Sequence, residues 1–127
     1  MLGLLSLFGR SREYQRLDHA LRGAGLHPRL VPDAVKLTVL KLLKDVGGSA
    51  RPGPDDCASA ADMLAYCMLG PEGFAEANGL DRTTRVEARL EASLESGESL
   101  DARLVLLALH SGVIESQVVE RYALRSV

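Results

Sequence analysis

Apolar side chains return three and four positions apart along most of this chain, in stretches separated by glycine and proline. Tyr14, Leu17 and Leu21 make one such stripe, and Cys57, Ala61, Leu64 and Met68 a second. Val86, Leu90 and Leu94 make a third; Ile114, Val118, Val119 and Tyr122 make a fourth. A backbone with 3.6 residues per turn brings such positions onto one face, whereas a half-buried strand needs every second residue apolar. No sustained period-two alternation is present, which argues against a sheet. The residue types agree: there are 23 Leu and 15 Ala against one Ile and five aromatics. Leu and Ala lose little on entering a helix, while strands favour β-branched and aromatic side chains. At 127 residues the chain can bury one continuous core without disulfides or metal. The expected fold is therefore all-α, a compact single-domain bundle of five to six helices. A short apolar N-terminal arm, residues 1–10, is expected to precede a helical domain over 11–127.

Punctuation sets the expected boundaries. Ser11 can cap the first helix, and Gly23 and Gly25 end it. Pro32 suits the first turn of the next, where its missing N–H is not needed. That helix is expected to bury Val35, Val39, Leu42, Leu43 and Val46 and to turn Lys36, Lys41 and Lys44 toward water. Residues 47–54 hold glycine or proline at five of eight positions and form a loop within the domain, since the segment before it is too short to bury a core alone. Asp55 or Asp56 is expected to cap the third helix, Gly70 to stop it, and Pro71 to start a short helix ending at Gly79. Asp81 is expected to cap a charged surface helix and Ser99 the helix after it. From Leu104 to Leu109 every side chain is apolar, which predicts a central helix buried on all sides.

The net charge of −2 gives no global attraction to nucleic acid. Its distribution is uneven. Residues 1–52 hold nine basic and four acidic side chains, and residues 53–127 hold six and thirteen. The two excesses are expected to face each other inside the fold; a basic surface for an anionic partner is the sharper alternative. A helix-turn-helix fitted to the chain's end would offer Glu115, Glu120 and Arg121 to DNA, and phosphates would repel it, so no nucleic-acid partner is expected. Cys57 and Cys67 lie in one expected helix, roughly 15 Å apart along its axis, too far to pair. They are expected to be free core thiols in a reducing compartment. The opening residues lack the basic start and cleavage site of a secretion signal and are too few to span a bilayer. A cytoplasmic location is expected.

His19, His27 and His110 do not fall at metal-ligand spacing with one another or with the cysteines, and no cofactor is expected. His110, in the last turn of its helix, is expected to bond free carbonyls there. Soft ligation of copper(I) by Cys67, Met63 and Met68 competes with an ordinary core face, which is the expectation. The weak catalytic candidates are Cys67, His110, Asp62 and Tyr66. Cys67 would need a base, and only folding can bring His110 to it. The glycines at 23, 25, 47 and 48 lack the strand and lysine of a phosphate loop. Leu2, Leu4, Leu5, Leu7 and Phe8 precede Arg10, Arg12 and Arg16. Leu4, Leu5, Leu7 and Phe8 are expected to bind a protein partner or a second copy; contact with an anionic membrane surface is the less favoured reading. The expected function is a non-enzymatic helical interaction module that self-associates as a homodimer. The alternative is a small helical enzyme or ligand-binding domain with a pocket between helices. A peripheral membrane-associated protein is the third reading.

Overall fold

Five consecutive side chains, Met63 to Cys67, have no contact with water, and the rest of the chain is arranged around them. The computed structural model describes residues 11–48 and 50–124. Within these lie helices α1 (Ser11–Gly23), α2 (Asp33–Asp45), α3 (Pro54–Asn78), α4 (Leu80–Ser93), α5 (Leu100–His110) and α6 (Ser116–Tyr122), with a 3₁₀ turn at Pro28–Leu30. No strand occurs among the described residues, so the all-α bundle is as expected. The arm residues Leu4, Leu5, Leu7 and Phe8, and the cap expected from the Ser11 side chain, lie outside the described residues.

The central helix is α3, not the leucine run of α5. It packs against each of the other five helices. Its Ala60, Ala61, Ala65 and Gly70 are buried, and such small side chains let neighbouring helices approach on several sides. In α5, Leu104, Val105 and Ala108 are buried, but Leu106 is 41% exposed, and Leu107 and Leu109 are half-buried. A single exposed leucine costs a fold little, so six apolar residues in a row do not require protein on every side.

α3 is interrupted, as expected, at Gly70, whose φ of 82° and ψ of 172° lie in a region nearly closed to other residues. Pro71 then leaves a carbonyl without its helical partner. In an unbroken helix the Cys67 carbonyl would accept from the N–H of residue 71, but Pro71 has none. The backbone N–H of Glu115 takes that carbonyl instead, at 2.7 Å. A buried carbonyl must find a partner, and here the partner is the residue that opens α6. The Glu115 side chain then accepts from Gln117 N at 2.8 Å, capping α6.

Three capping expectations are corrected. α3 begins at Pro54 with Gly53 as its cap; Asp56 acts from the third position, its carboxylate accepting from Gly53 N at 3.0 Å. Glycine can occupy a cap at little cost, and the acid three residues on supplies half of a capping box. α4 begins at Leu80, one residue before Asp81, with Gly79 as the cap. At the end of α5 the Ser111 hydroxyl donates to Leu107 O at 2.6 Å, while the His110 side chain is exposed and makes no hydrogen bond among the described residues. Ser99 caps α5 as expected, accepting from Ala102 N at 3.1 Å.

Lys36 also departs from expectation. It is buried, with its side chain 6% exposed. Its Nζ stands 3.0 Å from Asp18 Oδ1 on α1, in an ion contact rather than a directed hydrogen bond. It also lies 5.0 Å from the centre of the Tyr14 ring. α1 and α2 pack together, and the charges on α1 make this side of α2 habitable for a lysine whose stem can lie along apolar surface.

Candidate functional site

The densest polar chemistry in the described chain surrounds Tyr66. Its ring packs edge-to-face against Phe74 and Tyr122, with centres 5.8 and 6.4 Å away. Its hydroxyl donates to Glu87 Oε2 at 2.7 Å and lies 3.1 Å from the Tyr122 hydroxyl. With the single Tyr66 proton committed to the carboxylate, Tyr122 donates to the Tyr66 oxygen. Arg121 closes the group, its guanidinium 3.4 Å from Glu87 Oε2. Residues from α3, α4 and α6 thus meet at one carboxylate. Burial first, and then its bond to the Glu87 carboxylate, push the Tyr66 hydroxyl far above its ordinary pKa. Burial raises Tyr122 as well. Outside this group is a depression of about 270 Å³, lined in part by Pro71, Leu80, Thr83, Glu87 and Arg121.

The side chains of the four catalytic candidates are not linked to one another by any hydrogen bond or ion pair among the described residues. Asp62 is held by Arg82, whose Nε and Nη2 donate to its two oxygens at 3.2 and 2.5 Å. Another N–H of the same guanidinium reaches Gly23 O at 3.2 Å, so Arg82 clips α4 to both α3 and α1. Arg89 repeats the arrangement between Asp101, at 3.1 and 2.7 Å, and Ser59 O, at 3.0 Å. Bidentate forks of this kind fix orientation as well as charge. Cys67 is fully buried, and burial pushes its thiol up to about 12, so it holds its proton at neutral pH. Cys57 is buried and raised too, by burial first and then by Asp56. Both thiols are free, as their spacing implied. Met63 is buried with the core, as expected of a packing residue. No group of three or more His, Cys, Asp and Glu side chains suited to a metal ion occurs among the described residues.

Two surface features emerge from the fold. The first is apolar. Leu94, 50% exposed, and Leu106 border a depression of about 160 Å³ whose walls include Ala102, Val105 and Leu124. The second is basic. Arg12, Arg16 and Arg51 converge with Glu13 on a depression of about 210 Å³. Arg12 and Arg16 also border a groove of about 460 Å³ between α1 and the start of α3, where Ala20, Pro54 and Ala58 supply apolar wall and Asp55 a carboxylate.

The ion pairs among the described residues do not run between the two halves. Lys36–Asp18, Lys41–Asp45 and Lys44–Glu13 all lie within residues 1–52. Arg82–Asp62, Arg89–Asp101 and Arg121–Glu87 all lie within residues 53–127. No ion pair among the described residues joins one half to the other. The short separations in sequence explain this, because adjacent helices in a bundle present their charges to nearest neighbours first.

No helix among the described residues is long and apolar enough to cross a membrane. No protein-family model matches the chain, no curated protein matches it, and no solved structure matches it.

Proposed function

We propose that this chain is a non-enzymatic helical interaction module that self-associates. The observation that carries the reading is the apolar depression between the end of α4 and α5, where Leu94 and Leu106 stand half in water beside Ala102, Val105 and Leu124. Covering the exposed half of one leucine is worth about 1 kcal/mol. A two-fold contact would cover the same residues twice, which favours an isologous pair over a contact with an unrelated surface. The state of the reactive side chains supports a role without chemistry: Asp62 is occupied by Arg82, Tyr66 serves Glu87, and the Cys67 thiol is raised. The alternative of a ligand-binding or catalytic pocket between helices has the depression beside Tyr66 in its favour, but two of its three charged groups, Glu87 and Arg121, are already paired with each other, which leaves Glu72.

Light scattering at micromolar concentration tests the proposal on the full chain, on Leu94→Asp/Leu106→Asp, and on a chain lacking residues 1–9. The expected result is a dimer for the first and third and a monomer of unchanged helix content for the second. A full chain that stays monomeric overturns the proposal. A dimer lost only on truncation moves the contact to Leu4, Leu5, Leu7 and Phe8 and overturns the assignment to α5.

A further inference from the structure

Two neighbouring hollows beside α1 share a pair of arginines. Arg12 and Arg16 converge with Arg51 on the depression of about 210 Å³. They also border the groove of about 460 Å³ between α1 and the start of α3. All four carboxylates of residues 1–52 are already engaged. Asp18, Asp45 and Glu13 each face a lysine, and Asp33 accepts from the Tyr14 hydroxyl. Among the described residues Arg12 and Arg51 are left with no carboxylate, and Arg16 spends one N–H on the Pro52 carbonyl at 3.2 Å. That bond ties the end of the 47–54 loop to α1 and so holds Arg51, the residue before Pro52, close to the helix. Glu13 also lines the depression, but Lys44 Nζ stands 3.1 Å from it. The groove differs in character, with Ala20, Pro54 and Ala58 as apolar wall and Asp55 as the acid on its border.

We infer that the two hollows form one binding site for a small organic monophosphate, its phosphate held by Arg12, Arg16 and Arg51 and its apolar body lying in the groove between α1 and α3. Near neutral pH a phosphate monoester carries a charge of about −1.5 to −2 on strongly accepting oxygens. Guanidinium forks bind such oxygens two at a time. A carboxylate brings less charge and fewer oxygens, and would leave part of the arginine cluster uncompensated. The groove has the size of a small-ligand site, for which roughly 300–1,000 Å³ is usual, and small-ligand sites are mostly apolar with a few convergent polar groups. Inorganic phosphate would use the arginine end alone and leave the apolar walls in water. Asp55 is exposed; it can keep its carboxylate in water beside an apolar body, but it would repel a second phosphate. That charge disfavours a polyphosphate chain or a nucleic-acid backbone laid along the groove. The site shares no lining residue with the depression of Leu94 and Leu106, so ligand binding and self-association are separate properties of the chain.

Isothermal titration calorimetry on the full chain tests the inference with three probes: phenyl phosphate, benzoate and inorganic phosphate. Phenyl phosphate is expected to bind roughly fivefold or more tighter than either of the others, since part of its ring is taken out of water in the groove. Arg12→Gln/Arg51→Gln, which spares the Arg16–Pro52 bond, should weaken phenyl phosphate on the order of tenfold. Arg22→Gln/Arg29→Gln removes the same charge outside both hollows and should bind as the parent does. Ala58→Leu fills the groove from an exposed position. It should bring phenyl phosphate down to the level of inorganic phosphate and leave inorganic phosphate unchanged, and it keeps the test valid if the arginine variant does not fold. No binding of phenyl phosphate by the folded chain at millimolar concentration overturns the inference. So does an equal loss in the Arg22/Arg29 control, or an Ala58→Leu chain that binds phenyl phosphate as the parent does. Benzoate bound as tightly as phenyl phosphate would overturn the assignment of a phosphate, and inorganic phosphate bound as tightly would identify a free phosphate site instead.

Discussion

The hydroxyl of Tyr66 serves Glu87 and Tyr122 at once, and the Glu87 side chain that depends on it is 17% exposed. Tyr66→Phe keeps the ring against Phe74 but removes the donor. The partly buried carboxylate then has only the Arg121 contact at 3.4 Å, and a loss of about 1–2 kcal/mol is expected in urea unfolding. Glu87→Gln keeps an acceptor for the hydroxyl and gives up only a half-exposed ion pair, so it should cost less than Tyr66→Phe. The reverse order would show that the tyrosine bond contributes little. Lys36 allows a second comparison. Asp18→Ala leaves a buried ammonium without its counter-charge, and a loss of roughly 1–3 kcal/mol is expected, below the range for fully buried pairs because Asp18 is 30% exposed. Lys36→Met keeps the stem and removes the charge to be buried, so its stability should stay within about 1 kcal/mol of the parent. A Lys36→Met variant less stable than Asp18→Ala would overturn this account.

At the scale of elements, the break in α3 decides where α6 sits. A Cβ at Gly70 would lie 3.2 Å from Glu115 Oε2, whereas one at Gly79, with a similar φ of 87°, meets nothing within 4 Å. Each alanine imposes backbone strain on the order of 1–3 kcal/mol. Gly70→Ala should therefore lower the melting temperature more than Gly79→Ala, and Glu115→Ala in the Gly70→Ala background should narrow that gap. Equal effects at the two glycines would remove the Glu115 contact from the explanation. The break itself was legible, because Gly70-Pro71 is strong punctuation and the stripes on either side were clear. Its consequence was not. Nothing local says that the carbonyl orphaned by Pro71 will be met by the N–H of a residue 48 positions after Cys67. The choice of central helix failed for a related reason: summed hydrophobicity favours leucine, whereas enclosure on all sides depends on small residues that let neighbours close in. Of the candidate site residues, Asp62 and Tyr66 were placed on the right helix, but their partners Arg82, Glu87 and Tyr122 come from elements whose spatial order spacing does not encode.

At the scale of the whole molecule, four thiol and phenol groups, three of them buried and Tyr122 half-buried, shift the same way. Cys57, Cys67, Tyr66 and Tyr122 are all raised, with burial the first cause in each. A raised folded value means that the unfolded chain releases the proton first as pH climbs. Stability from these groups is complete below their unfolded values and is lost above them. For thiols that loss starts near 9.0, and for Cys67 it continues to about 12; for the two tyrosines it starts near 10.0. Each group contributes a slope of slightly over ~1 kcal/mol per pH unit once its unfolded form is ionised. Urea midpoints measured from pH 8 to 10 under reducing conditions at fixed ionic strength should therefore fall with pH, chiefly through the two cysteines. Cys67→Ala should start lower, because it leaves a small void, but its midpoint should fall less steeply over that interval. Parallel slopes for parent and variant would mean that the Cys67 thiol ionises as readily in the folded bundle as in the open chain. That result is incompatible with its enclosure at the centre of α3, the packing on which the arrangement of all six helices depends.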